Sequence, residues 1–318
     1  MKFDKTIIVS MFIYAIISII TIYSAQTILK EEYQDLAIKQ TFWYCIGFFL
    51  IFIITKIKNE HILKYTWVLY IIGNISLLGL LFFGTPINDA RCWYTLKGIG
   101  TIQPSEFMKI ILILTLSKMI DEFHKNNVSP TIKEEFIFLI KIGIVIIIPC
   151  ILTFLQPDTG VVLIYLLITI ITLFISGIRY RWFIILFLIL TISIGSVLII
   201  YFLDNDLFIK IFGTSFFLRV DRLLDWSNKS GYQLTNGITA IGSAGLFGHG
   251  FRNTPIYFPE AQTDFIFAVF ASNFGLIGCF LLLSFIAFFD IRLSLIAINS
   301  KDNINKYIIA GILGMLIY

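Results

Sequence analysis

The sequence predicts an all-α, polytopic transmembrane helical bundle of about nine spans, with a cytoplasmic N-terminus and a large outer loop between helices 7 and 8. Three observations predict it. Hydrophobic residues make up 58% of the chain and charged residues only 14%, at a mean hydropathy of +0.90, whereas a soluble domain carries about 25% charged residues. The apolar residues fall in runs near the ~20 that cross a bilayer as a helix, a conformation that satisfies its own backbone in lipid. The basic residues between those runs alternate as the positive-inside rule requires.

The first predicted span is Thr6–Tyr23. Its apolar run is too long for a signal-peptide core and no small-residue cleavage site follows it, so it reads as an uncleaved anchor. Next come Phe42–Thr55, Thr66–Phe83, Phe107–Ile120, Phe136–Leu155, Val161–Ser176, Trp182–Leu203, Phe265–Phe289 and a last run from Ile308 onward. Lys2 and Lys5 set the N-terminus inside. Every second connection is then cytoplasmic and basic: Lys56, Lys58 and Lys64; Lys118, Lys125 and Lys133; Arg179 and Arg181; Arg292, Lys301 and Lys306. The outer face receives Ala25–Thr41, Gly84–Glu106, a tight turn at Gln156–Thr159, and the long stretch Asp204–Asp264. Trp43, Trp93 and Trp182 fall near the interfaces, where an aromatic belt sits. A net charge of +4 gives no support to nucleic-acid binding. Cys45, Cys150 and Cys279 lie in apolar stretches and Cys92 stands alone in a loop, so neither a disulfide framework nor a metal spacing is visible. His61, His124 and His249 are scattered and form no metal motif.

Three helix entries on the outer face resemble one another: Gln103-Pro104-Ser105-Glu106, Gln156-Pro157-Asp158-Thr159 and Pro259-Glu260-Ala261-Gln262-Thr263-Asp264. Proline suits a first helical turn, and Ser, Thr or Asp at a cap satisfies free N–H groups. Capping accounts for each entry alone, but not for all three lying on one side with cations nearby. Lys109 follows Glu106 by one turn inside an apolar segment, where a charge costs ~2.5–3.5 kcal/mol. It snorkels outward, pairs with Glu106 at i,i+3, or meets a ligand. Arg91, Arg219 and Arg222 are further cations of that face; loop arginines are commonly just solvated, yet guanidinium binds phosphate bidentately. The glycine run from Gly242 to Gly250 reads as either a phosphate-cradling nest or a flexible turn. It lacks the Walker lysine and hydroxyl.

These blocks carry a resemblance. Asp89-Ala90-Arg91-Cys92-Trp93 with Gln103-Pro104-Ser105-Glu106-Phe107-Met108-Lys109 resembles the signature before the fourth helix of SEDS proteins (shape, elongation, division and sporulation). Gln156-Pro157-Asp158-Thr159-Gly160 resembles the next block, and Arg222-Leu223-Leu224, Gly231-Tyr232-Gln233 and Ala240-Ile241-Gly242-Ser243 the one after. Pro259 to Ala268 resembles the signature entering the eighth helix, and Tyr23-Ser24-Ala25 follows the first. The opening Asp4-Lys5-Thr6 and the loop lengths lean toward the RodA (elongation) branch over the FtsW (division) branch. Cys92 stands where the family usually has a second basic residue, Gln262 where it has His, and Ala244 where it has Gly. The family has ten spans and a closing Pro-Phe and Ser-Tyr-Gly-Gly pattern that this sequence lacks. The resemblance therefore implies a single membrane domain, residues 1–318, without the last helix or helices.

The resemblance implies a multi-pass protein of the bacterial cytoplasmic membrane that polymerises lipid II beside a class B penicillin-binding protein transpeptidase. Joining sugars with an undecaprenyl pyrophosphate leaving group needs one carboxylate as general base and cations at the pyrophosphate, with no general acid. By motif position Asp264 is the catalytic residue. Arg91, Lys109 and Arg222 are the candidates at the pyrophosphate, with a divalent cation, Mg or Mn, and no protein metal motif. Trp93, Gln103, Glu106, Gln156, Asp158, Gln233, Glu260 and Thr263 would line or brace the substrate cleft. Two rival readings stay open. A lipid II flippase would show polar or glycine-broken spans, while these are almost free of charge apart from Lys109 and Lys141 near span ends. A non-catalytic scaffold would recruit the transpeptidase without needing Asp264.

Overall fold

The structure is a computed structural model and describes residues 4–57, 59–87, 90–96, 100–214, 216–218, 220–221 and 231–317. Its helices are α1 (Lys5–Ala25), α2 (Leu36–Ile54), α3 (Asn59–Lys64), α4 (Thr66–Phe83), α5 (Pro104–Asn126), α6 (Ile132–Leu155), α7 (Thr159–Ile175), α8 (Arg181–Leu203), α9 (Asn205–Phe212), α10 (Tyr232–Ser243), α11 (Ile266–Ile298) and α12 (Asn303–Leu316). Each of the nine expected spans has its helix. Among the described residues, six helices are long and apolar enough to cross a membrane by length and composition: α1, α2, α4, α6, α8 and α11. Local chemistry sets several starts. Asp4 accepts from the Thr6 N–H at 2.9 Å to cap α1, Pro104 opens α5, and Thr131 with Glu134 forms a capping box on α6.

The chain divides into two compact units: Met1–Ile54 with Leu186–Phe289, and Thr55–Ile185 with Asp290–Tyr318. In the second, α5, α6, α7 and α12 enclose a core of Ile113, Leu116, Ile120, Phe138, Ile142 and Ile168. Tyr70, Leu77, Met108, Leu112 and Tyr165 form a second cluster with α4. Small residues let the helices approach: a Cβ on Gly311 of α12 would sit 2.8 Å from Ile113. The outer connection expected as a loop over Gly84–Glu106 holds a three-stranded antiparallel sheet, β1 (Thr85–Ile87), β2 (Ala90–Leu96) and β3 (Gly100–Ile102), in that order. Thr85 pairs with Trp93, and Tyr94 with Ile102. Pairing satisfies backbone groups that a bare loop would leave to water.

The first unit holds α1, α2, α9, α10, most of α8, and α11 up to Phe289. A cluster of small and aromatic residues, Ala25, Ala240, Phe258, Ala261, Ala268 and Val269, fills its outer end. The long outer stretch is thus partly helical. The span expected as one helix over Phe265–Phe289 is interrupted: Gly275 lies at φ 63°, ψ −164° inside α11. The glycine run supplies the reason. The His249 and Gly250 N–H groups donate to the Ser272 and Asn273 carbonyls at 2.8 and 3.2 Å. The Leu276 and Ile277 N–H groups donate to the Gly245 and Leu246 carbonyls at 3.0 and 3.1 Å. The segment 245–250 therefore plugs the helix break and rebuilds its hydrogen bonds. It is not a free turn. Buried irregular backbone in a membrane protein survives only with such partners.

Candidate functional site

In the second unit, two of the three similar helix entries meet. The Gln103 amide donates to Asp158 Oδ2 at 2.7 Å, while Asp158 Oδ1 caps α7 by accepting from the Val161 N–H at 3.2 Å. Burial pushes the Asp158 carboxyl above the ordinary range, against the lowering effect of these two bonds. Lys109 is buried and its Nζ lies 2.6 Å from Glu106 Oε2, so the i,i+3 pair accounts for a charge in this apolar helix. Beneath them, Tyr165 is fully buried and its hydroxyl donates to the Ser105 carbonyl at 3.0 Å. Gln156 is 1% exposed and its amide donates to the Leu77 carbonyl at 2.8 Å. The Cys92 thiol donates to the Gln156 carbonyl at 3.0 Å, and burial pushes that thiol up to about 11. Cysteine at this position suits a buried slot where a second cation would lack solvent. Arg91 is exposed on β2 and Trp93 is half-buried beside it. Neither side chain hydrogen-bonds another residue of the candidate set among the described residues.

In the first unit, the segment 259–264 turns sharply into α11. Glu260 adopts φ 55°, a left-handed conformation unfavourable by ~1–2 kcal/mol for a residue with a Cβ. Its Oε2 accepts from Thr263 Oγ1 at 3.2 Å and Gln262 Nε2 at 3.1 Å. Asp264, two residues before α11 begins, is exposed, and its carboxylate has no hydrogen bond or ion pair among the described residues. Gln233 is half-buried on the first turn of α10. Arg222, with Arg219 and Asp89, lies outside the described residues. Sequence reasoning missed Tyr165 and the pair Ser24 and Asn273, whose side chains meet at 2.7 Å. A lone buried amide in the middle of an apolar run was the available signal. Among the described residues no three His, Cys, Asp or Glu side chains gather to hold a metal ion.

These two groups lie in the blocks that a family model for "Cell cycle protein", FtsW/RodA/SpoVE, matches across residues 4–318. The chain belongs to this family. FtsW of Lactococcus lactis subsp. lactis, described as a probable peptidoglycan glycosyltransferase, is 28% identical over 345 residues, covering 99% of this chain and 81% of that protein. One solved relative belongs to a structure described as a peptidoglycan synthase complex, with TM-score 0.79 at 20% identity over 99% of this chain and 84% of that one. Another is the crystal structure of Thermus thermophilus RodA, with TM-score 0.67 at 20% identity over 99% and 82%. At such identity the structures speak for the fold. Like other FtsW/RodA/SpoVE proteins, the chain is a multi-pass protein of the bacterial cytoplasmic membrane.

Proposed function

We propose that this protein is a peptidoglycan glycosyltransferase that polymerises lipid II, with Asp264 as general base. The observation that carries the reading is the contrast between two neighbouring carboxylates: Glu260 is engaged by Gln262 and Thr263, while Asp264 stays exposed and unpartnered among the described residues. A base needs a free lone pair within reach of the hydroxyl it deprotonates. The acceptor hydroxyl passes its proton to Asp264 as its oxygen bonds the anomeric carbon, and the bond from that carbon to the undecaprenyl pyrophosphate oxygen breaks. The leaving group departs as an anion, which cations stabilise. Arg222 is the cation assigned that role by motif position; Arg91 and Lys109, the other cations of the resemblance, belong to the second unit. The Mg or Mn ion that the resemblance implies finds no donor set among the described residues, so no step is routed through it.

A class B penicillin-binding protein is the partner that this activity calls for, because new strands must be crosslinked. Elongation duty rests on the opening Asp4-Lys5-Thr6 and the loop lengths, while the FtsW name of the similar Lactococcus protein favours division. Depletion in cells separates the two: rounding supports elongation, filamentation division. The break at Gly275 is the glycine-interrupted span that a flippase would show, yet the protein's own segment 245–250 fills it. The test is lipid II polymerisation by the purified protein with its penicillin-binding partner. Product from wild type, with at least a ~100-fold loss in Asp264→Asn at unchanged folded yield, supports the base. An active mutant removes Asp264 from the mechanism. Transpeptidase binding without product from wild type favours the scaffold.

A further inference from the structure

We infer that Asn273 is a positioning residue for Asp264, acting through a short, separately held piece of helix; the inference rests on the reading of Asp264 as the base. Asn273 is 1% exposed in α11. Its Nδ2 donates to the Val269 carbonyl at 2.6 Å and to Thr254 Oγ1 at 3.1 Å. Its Oδ1 accepts from Ser24 Oγ at 2.7 Å. A carbonyl only accepts, so the bond to Val269 settles which end of the amide is nitrogen. Both donors are spent, and one orientation of the side chain is allowed. Ser24 and Thr254 are buried as well. One amide therefore ties the C-terminal end of α1 and the chain leading to Glu260 onto α11.

The break at Gly275 makes this tie consequential. The N–H groups of Leu276 and Ile277 turn to Gly245 and Leu246 instead of continuing the helical ladder. Residues 266–274 thus form a piece about 13 Å long at 1.5 Å per residue, uncoupled from the rest of α11. Asp264 sits at its head, where the Phe265 N–H bonds the Glu260 carbonyl at 3.2 Å and the Ala268 N–H bonds the Phe265 carbonyl at 2.9 Å. The rotation and height of the piece are not inherited from a long helix. They are set by its own sides: small-residue packing of Ala268 and Val269, the plug at its tail, and the Asn273 amide. Packing of small apolar faces resists sliding weakly, whereas hydrogen bonds have steep geometry. Asn273 is thus the side chain that fixes register, alongside the plug's bonds to the Ser272 and Asn273 carbonyls, and a shift of register displaces Asp264.

The experiment measures kcat and KM for lipid II polymerisation, with the penicillin-binding partner, for Asn273→Ala, Ser24→Ala, their double variant and Asp264→Asn, each per folded molecule and with a melting temperature. Misplacement by about 1 Å lowers a rate about 100-fold, so Asn273→Ala should lose about 10- to 100-fold in kcat with KM within about twofold. The double variant should be no worse than Asn273→Ala alone, because Ser24 acts through that amide. A lowered melting temperature with kcat within about twofold of wild type would mean that Asn273 only holds the fold, and the inference falls. If Asn273→Ala does not fold, Ser24→Ala decides alone: a kcat loss of about threefold or more at unchanged KM supports the inference, and wild-type kcat overturns it. If Asp264→Asn itself polymerises normally, the base reading fails first and the positioning inference goes with it.

Discussion

In the second unit α5 buries residues along its whole length, from Pro104 to Phe123, whereas in the first unit α2 buries only Ala37 and α8 none of its residues. The second unit is a side-chain assembly, with two hydrophobic clusters and with Asp158, Lys109 and Gln156 each bonded inside it. The first unit adds backbone to its outer cluster of Ala25, Ala240, Phe258, Ala261, Ala268 and Val269: a plugged helix and interlocked glycines, with one saturated side-chain amide beside them. Lipid explains why both solutions exist. Apolar helices gain little from leaving hydrocarbon for each other, so a span need not pack to be stable, but an unpaired peptide group there is costly.

The largest expected effect strikes that difference directly. A Cβ on Gly275 would press into the Gly248 nitrogen and the Leu246 carbonyl, and one on Gly248 into the Asn273 carbonyl. Gly275→Ala and Gly248→Ala should each destabilise by about 3 kcal/mol or more and reduce folded yield in detergent. Gly143→Ala in α6 of the second unit meets nothing within 4 Å and should be neutral or gain up to ~1 kcal/mol. Equal melting temperatures for all three variants would erase the contrast.

An intermediate effect tests the buried polar group of the second unit. Burial raises the Asp158 carboxyl, so the folded state holds that proton more tightly than the unfolded chain does. The resulting contribution to stability is complete below the unfolded value near 3.8 and is lost as pH rises through the raised folded value. Asp158→Asn, which keeps an acceptor for Val161, should remove that pH-dependent loss from the stability–pH curve. A mutant curve parallel to wild type would mean that the carboxyl is solvated.

The smallest effect sharpens the picture of the first unit. Arg252 adopts φ 62° and lies over the Tyr23 ring, 4.5 Å from its centroid, donating to the tyrosine hydroxyl at 3.1 Å. Arg252→Gly loses that contact but relieves the backbone, while Arg252→Ala loses the contact and keeps the strain. Gly should be more stable than Ala there by about 1 kcal/mol, measured by thermal unfolding of both variants. The reverse order would show that the backbone relaxes at this position.

What the sequence determined was whatever depends on local pattern. Apolar runs placed a helix at each of the nine expected spans, and Pro104 and Asp158 marked true helix starts. The spacing of Glu106 and Lys109 foretold their pair, because i,i+3 neighbours on a helix touch whatever surrounds them. What only the tertiary structure decided depends on segments far apart in the chain. Gly275 looks like any glycine in an apolar run until Gly245–Gly250 is laid against it, and Gln103 and Asp158 find each other across 55 positions. Asn273 meets Ser24 across 249. Hydrogen bonds carry no period along the chain, so their partners are chosen by packing in three dimensions, and no window of sequence contains both ends.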